Sequence, residues 1–213
     1  MKSGAIFFSD SESAPFTRDT LSKNDIFYLE ILVRHPLICS IMDEDLFVLY
    51  REYPDGGKVL LMKDLDKSKS DYNDLLVIAD QFAHLGHVVR VLKSVHYKDP
   101  LYREIFGDLV ETRFYRKCPD LLVDTEFYEY EGYEKPWRKQ KVQRMLTNGL
   151  RQSSRVIINN NKGVVDRHIR RLIMARVNLK ASIDEVWVYE KGAIRLIYKN
   201  NREDDSSLQG NAP

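Results

Sequence analysis

Cys118-Pro119-Asp120-Leu121-Leu122-Val123-Asp124-Thr125-Glu126-Phe127-Tyr128-Glu129-Tyr130-Glu131 holds the densest chemistry of this chain. Residues 121–124 and 126–131 read as two adjacent β runs. Alternate residues of a strand share a face, so Glu129 and Glu131 point the same way. Asp120 opens the preceding run and lies beside them if the two form a hairpin. Carboxylates converging at a sheet edge suit a hard divalent cation, which takes oxygen ligands. The plainer alternative is an exposed acidic hairpin face with tyrosines packed on its other side.

The flanking sequence supplies helices and strands around this hairpin. Upstream, a helix starting at Ser70 or Asp71 carries Leu75, Leu76, Ala79, Phe82 and Ala83 on one face and ends at Gly86. Residues 87–92 form a short β run. Asp99-Pro100 caps a short helix that ends near Gly107. Downstream, residues 135–152 form a helix with Pro136 in its first turn and Val142, Met145, Leu146 and Leu150 inward. Arg155-Val-Ile-Ile-Asn159 is a buried strand, and residues 165–177 form a second helix. Strands 185–189 and 194–198 join across Lys191-Gly192. The order α-β-α-ββ-α-β-α-ββ predicts an α/β (mixed α+β) domain over residues 70–200. Residues 1–69 are expected to form an N-terminal extension: a loose tail, a helix over about 24–34, and a hairpin of 46–52 with 58–63 around Pro54-Asp55-Gly56-Gly57. Residues 64–70 read as a linker, and residues 201–213 as a disordered tail.

The chain has 213 residues and a net charge of +1, which hides a strong asymmetry. Residues 1–131 hold 16 Lys and Arg against 24 Asp and Glu, a net of −8. Residues 132–180 hold 13 against 2, a net of +11, and residues 181–213 carry −2. Basic blocks attract phosphate backbones through release of condensed counterions. Arg138, Lys139, Lys141 and Arg144 lie opposite the apolar stripe of the first basic helix. Arg167, Arg170 and Arg171 do so on the second. If both helices pack on one face of the sheet, they form a groove that reads shape and phosphate rather than base sequence. Trp137 opens the first of them and can stack on a base, which favours looped or single-stranded RNA. His168 is a further phosphate donor, or a general acid/base in a metal-free RNase.

Several classes are unsupported. No Gly-x-Gly-x-x-Gly, Walker or Gly-x-Ser-x-Gly motif is present. Cys39 and Cys118 are too few for a disulfide scaffold or a cysteine zinc finger and fit a reducing cytosol. No apolar run is long enough to span a membrane, so no membrane partner and a cytoplasmic location are expected. His84 and His87 straddle Gly86, which argues against a shared metal. His96, before Tyr97-Lys98, has no assigned role.

The order Pro119-Asp120, short apolar strand, turn and acidic strand with Glu129-Tyr-Glu131 resembles the PD-(D/E)XK nuclease motif. With the downstream elements, residues 99–200 resemble the C-terminal tRNase domains of contact-dependent growth inhibition and related polymorphic toxins. The resemblance implies a restriction-endonuclease-like central sheet flanked by basic helices. A metal-independent RNase fold of the barnase and colicin type is the alternative among relatives. Carried over by position, Asp120 and Glu129 are metal ligands for Mg²⁺ or Mn²⁺. The lysine of the motif falls on Glu131, so Lys135 or Lys139 would have to supply the ammonium. Gln152 matches a helix glutamine that orients ligands or substrate. The implied function is hydrolysis of structured nucleic acid, with tRNA-like RNA favoured over DNA. A mobile-element origin and an inhibitor protein are expected of a toxin-like chain. The competing expectation is a non-catalytic nucleic-acid-binding or scaffold protein with a decayed site.

Overall fold

In the computed structural model, which describes residues 45–132 and 140–200, eight strands form one mixed sheet in strict sequence order. The strands are β1 (Phe47–Glu52), β2 (Lys58–Met62), β3 (Val88–Val91), β4 (Leu121–Val123), β5 (Glu126–Glu131), β6 (Arg155–Asn159), β7 (Glu185–Glu190) and β8 (Ala193–Lys199). Four helices connect them: α1 (Tyr72–His84), α2 (Pro100–Phe106), α3 (Lys141–Gly149) and α4 (Asp166–Val177). Antiparallel neighbours are β1/β2, β3/β4, β4/β5 and β7/β8. The parallel pairs β2/β3, β5/β6 and β6/β7 are linked through α1, α3 and α4 in turn. Parallel neighbours require such crossovers, because a tight turn cannot reverse the chain twice.

Side-chain alternation divides the core into two faces. Val59, Val89, Val91, Leu121, Tyr128, Tyr130 and Ile157 pack against α1. On the opposite face, Leu60, Met62 and Phe127 pack on α2, while Val156, Ile158, Val186 and Val188 pack on α3 and α4. The two basic helices therefore share one face, as expected. Glu129 and Glu131 alternate with Tyr128 and Tyr130, so they fall on the face carrying α2 and α3.

The hairpin over residues 46–63 forms as read, but it is part of the central sheet. β2 pairs with β3 in register from Lys58↔Val88 to Leu61↔Val91. The boundary expected between residues 69 and 70 thus crosses one continuous sheet, and residues 64–70 are the connection from β2 into α1. The helix expected over residues 24–34 and the tail after residue 200 lie outside the described residues. The first turn of the 135–152 helix does as well. That helix ends at Gly149 rather than Gln152, because Gln152 N and Ser153 N both donate to Gly149 O in a tight turn. On α1, Ile78 is buried in addition to Leu75, Ala79, Phe82 and Ala83, whereas Leu76 is only half-buried.

Gly149 sits where α3 touches the sheet. A Cβ there would stand 2.5 Å from Val156 Cγ1 and 3.2 Å from Glu131 Cγ. Val156 is buried and stiff at χ1, so it cannot move aside cheaply. Gly149→Ala is expected to cost about 1–3 kcal/mol, as overpacking does. Urea unfolding of both proteins would measure it.

Candidate active site

Asp120 stands one residue before β4. Leu92 N donates to its backbone carbonyl at 2.8 Å, and Tyr130 N donates to its Oδ2 at 3.0 Å. The β4/β5 register runs Leu121↔Tyr128 to Val123↔Glu126, so one step further sets Asp120 across from Glu129. Each carboxyl acts on the other's proton affinity. Asp120 and Glu129, separate in sequence, thus fall at the end of the sheet where β3 ends and β4 begins. This is the end at which β2, β3, β5 and β6 terminate.

Two further carboxylates join them. Asp71 is the N-cap of α1, yet its side chain makes no capping bond. Its Oδ1 is buried without a partner among the described residues. Glu129 is 8% exposed, and its Oε2 is likewise buried and unpartnered. These are the two unsatisfied buried side-chain oxygens among the described residues, and both belong to one cluster. Buried polar atoms are nearly always paired, so two orphans in one place mark a site that expects something. Glu131, half-buried against Gly149, is the fourth carboxylate.

The electrostatics follow from burial and crowding. Burial raises Asp120 to about 6, with Asp71 adding to the effect and the bond from Tyr130 N opposing it. Burial, then the charges of Asp120 and Glu131, hold Glu129 well above the ordinary carboxylate range. Burial and Asp120 push Glu131 up to about 7, against the pull of Lys141. Desolvation and like charge both disfavour the ionised form. Among the described residues, the cations that act on the cluster are Lys141, on Glu131, and Lys69, on Asp120. Lys141 thus acts on Glu131 through its charge, a role expected of Lys135 or Lys139; both of those lie outside the described residues.

In chemical kind, though not in the spacing of three ligands among the described residues, the donors suit a hard divalent cation. The donor set is all oxygen, strongly anionic, and carries two unfilled acceptor atoms. Among the described residues no three His, Cys, Asp or Glu side chains stand in cation-holding geometry. Asp120 and Glu129 would hold the ion, with Asp71 or Glu131 within reach of the same cluster.

The tyrosines between these acids serve the opposite face. Tyr130 OH donates to Asp74 Oδ2 at 2.5 Å, and Asn159 Nδ2 donates to Tyr130 OH at 2.7 Å. Tyr128 OH donates to Glu185 Oε2 at 2.8 Å. These bonds fix β5 in register and hence fix Glu129 and Glu131. Tyr130→Phe would strip Asp74 of its shorter bond and is expected to cost about 1–2 kcal/mol, readable from the urea midpoint.

The remaining expected site residues are more dispersed. Trp137, Arg138 and Lys139 lie outside the described residues. Arg144 is exposed on α3, and Arg167, Arg170 and Arg171 are exposed on α4. His168 is half-buried with Nδ1 3.0 Å from Arg171 Nη2. A guanidinium neighbour suits a phosphate-facing histidine better than a general base. The two helices touch through Arg176, which donates to Gln143 O and Thr147 Oγ1. The N-terminal end of α4, with Arg167, is tied instead to β8 through Asp166 and Arg195. Gln152 is half-buried in the turn after α3, and its amide makes no bond to the carboxylates. Asp71 and Lys69 carried no expected role in the site. An acid at a helix start reads first as a cap, and only its missing capping bond reveals otherwise.

No protein-family model matches this chain, and no curated protein or solved structure matches it. No helix among the described residues is long and apolar enough to cross a membrane.

Proposed function

We propose that this chain is a metal-dependent phosphodiesterase of the restriction-endonuclease-like type that cleaves structured nucleic acid, with tRNA-like RNA favoured. The observation that carries the reading is the crowding of the buried Asp120 and Glu129 carboxyls, on which Asp71 and Glu131 act through their charges, with one oxygen each of Asp71 and Glu129 unpartnered among the described residues. The resemblance to the PD-(D/E)XK motif and to growth-inhibition tRNase domains supports it. So does the exposed arginine set on α3 and α4, which shares the face of the sheet that bears the carboxylates. A bound Mg²⁺ or Mn²⁺ supplies Lewis acidity toward a phosphate oxygen and a lowered pKa for water. Glu131, near neutrality in its proton affinity, is suited to take a proton from attacking water. Lys141 acts on it through its positive charge, in place of the lysine that the motif has at position 131. Arg144, Arg167, Arg170 and Arg171 hold the backbone of the strand.

Incubation of the protein with total tRNA, single-stranded RNA and plasmid DNA, in Mg²⁺, Mn²⁺ or EDTA, tests the reading. Metal-dependent cutting, fastest on tRNA, is expected. Cutting that survives EDTA would favour a metal-free RNase. Salt-sensitive binding without cutting would favour a binding module with a decayed site, a reading that Glu131 in the lysine position supports. A toxin-like role further predicts an inhibitor protein, and growth arrest on expression.

A further inference from the structure

The chain segments that bracket β3 and β4 continue past the sheet as a matched pair. Cys118 Sγ donates to Val95 O at 3.2 Å, and Tyr102 OH donates to Lys117 O at 3.0 Å. The pair runs outward from Asp120 to a cluster of rings and cations. The Arg116 guanidinium lies 4.4 Å from the centre of the Tyr97 ring and 5.3 Å from that of Tyr115. The two rings meet edge to face at 6.2 Å, and His96 stacks on Tyr97 at 4.7 Å.

Three features separate this cluster from ordinary loop packing. Arg116 adopts φ +68, a left-handed conformation that a non-glycine residue holds at a cost. Arg116 is an exposed residue whose guanidinium lies over the Tyr97 ring, and no carboxylate among the described residues pairs with it. Tyr115 is 38% exposed, with its ring edge to face with Tyr97 and Tyr102. The backbone is thus strained to present a planar cation and an aromatic ring to solvent. Lys98, exposed, lies beside them at 5.9 Å from the Tyr97 ring.

We propose that Tyr115 and Arg116, steadied by Tyr97, form a stacking subsite for an unpaired base, with Lys98 contacting the adjoining phosphate. Unpaired bases stack on aromatic rings and on guanidinium planes, and the attraction tolerates any base. Four residues at about 3.3 Å each place Arg116 no more than roughly 13 Å from Asp120. A strand crossing the carboxylates therefore reaches the subsite within a few nucleotides. The subsite rests on the nucleic-acid reading above and sharpens it: the substrate has an unpaired stretch next to the bond to be cut.

Fluorescence anisotropy with a labelled oligouridylate and a blunt RNA duplex, both in EDTA, tests this without any cleavage. Tyr115→Ala is expected to weaken single-strand binding by roughly 5- to 100-fold and to leave duplex binding unchanged. Arg116→Lys keeps the charge and loses the plane, so it should weaken single-strand binding with the salt slope intact. Arg116→Gly relieves the backbone strain, so it should melt no lower than wild type while binding the single strand weakly. Single-strand affinity equal to wild type in all three variants would overturn the subsite. If wild type cleaves while Tyr115→Ala cleaves with unchanged KM, the subsite fails and the nuclease reading stands. If single-strand binding depends on Tyr115 and nothing is cut, the subsite stands and the nuclease reading fails.

Discussion

Asp120→Asn is expected to abolish metal-dependent cleavage and, at the same time, to raise thermal stability at pH 8. Asparagine keeps the shape of the side chain and can still accept the bond from Tyr130 N. It removes one charge from a cluster in which Glu129 is buried and partly unsatisfied. Its amide can also donate to Glu129, which the carboxylate at position 120 cannot do once ionised. Relief of one buried like-charge contact corresponds to about 1–2 kcal/mol. In a chain of this size that raises Tm by about 2–4 °C per kcal/mol. Cleavage should fall by more than roughly 100-fold, the loss typical of changing a group merely hydrogen-bonded to a metal ligand. A residue retained for folding would show the reverse: lower Tm and retained activity. Opposite signs for stability and activity are the mark of a functional site that costs stability.

The second large effect is a stability that falls as pH rises, and that divalent cations restore. Asp120 and Glu131 bind protons in the folded state up to about 6 and about 7, and Glu129 does so well above its ordinary range. In the unfolded chain these groups titrate near 4. Between those limits the folded state holds more protons than the unfolded one, so stability declines with increasing pH. Their favourable contribution is complete below about pH 4 and is lost as pH climbs through 6 and 7. Each tenfold change in proton affinity is worth about 1.4 kcal/mol, and the groups share protons. The combined loss between pH 5 and pH 8 is therefore on the order of 2–4 kcal/mol. Melting curves should show Tm highest near pH 5 and lower by several degrees at pH 8. Mg²⁺ or Mn²⁺ should recover the difference at pH 8 and add little at pH 5, where protons already fill the cluster. A flat profile, or equal metal effects at both pH values, would contradict this. Glu129→Gln should flatten the profile.

The hairpin that builds the site was legible because its signals are local. Alternation in residues 128–131 separated Glu129 and Glu131 from Tyr128 and Tyr130, and the structure puts them on opposite faces as that pattern requires. Pro119-Asp120 ahead of a short apolar run located the partner strand. The two basic helices and the Lys191-Gly192 turn are local features of the same kind; both turn residues adopt positive φ. Non-local pairing was not legible. Nothing in residues 58–62 reports that they pair with residues 88–91 across a 13-residue helix, so the first hairpin read as an extension. Asp71 was hidden for a related reason. It lies 49 residues from Asp120 and reaches it only because α1 starts at the end of the sheet where β4 begins. The strained arginine of the outer loop was invisible as well, since Phe114-Tyr115-Arg116-Lys117 carries no glycine or asparagine to announce a left-handed residue.

Calorimetric titration of Mn²⁺ at pH 6, where the cluster still holds protons, into wild type, Asp120→Asn and Glu129→Gln tests the carboxylate cluster most directly. Wild type should bind with release of protons, because carboxyls that hold protons near neutrality must give them up to a cation. Both variants should bind far more weakly and release fewer protons. Absence of Mn²⁺ binding by wild type, or equal binding by all three proteins, would contradict the assignment of Asp120 and Glu129 as the cation site.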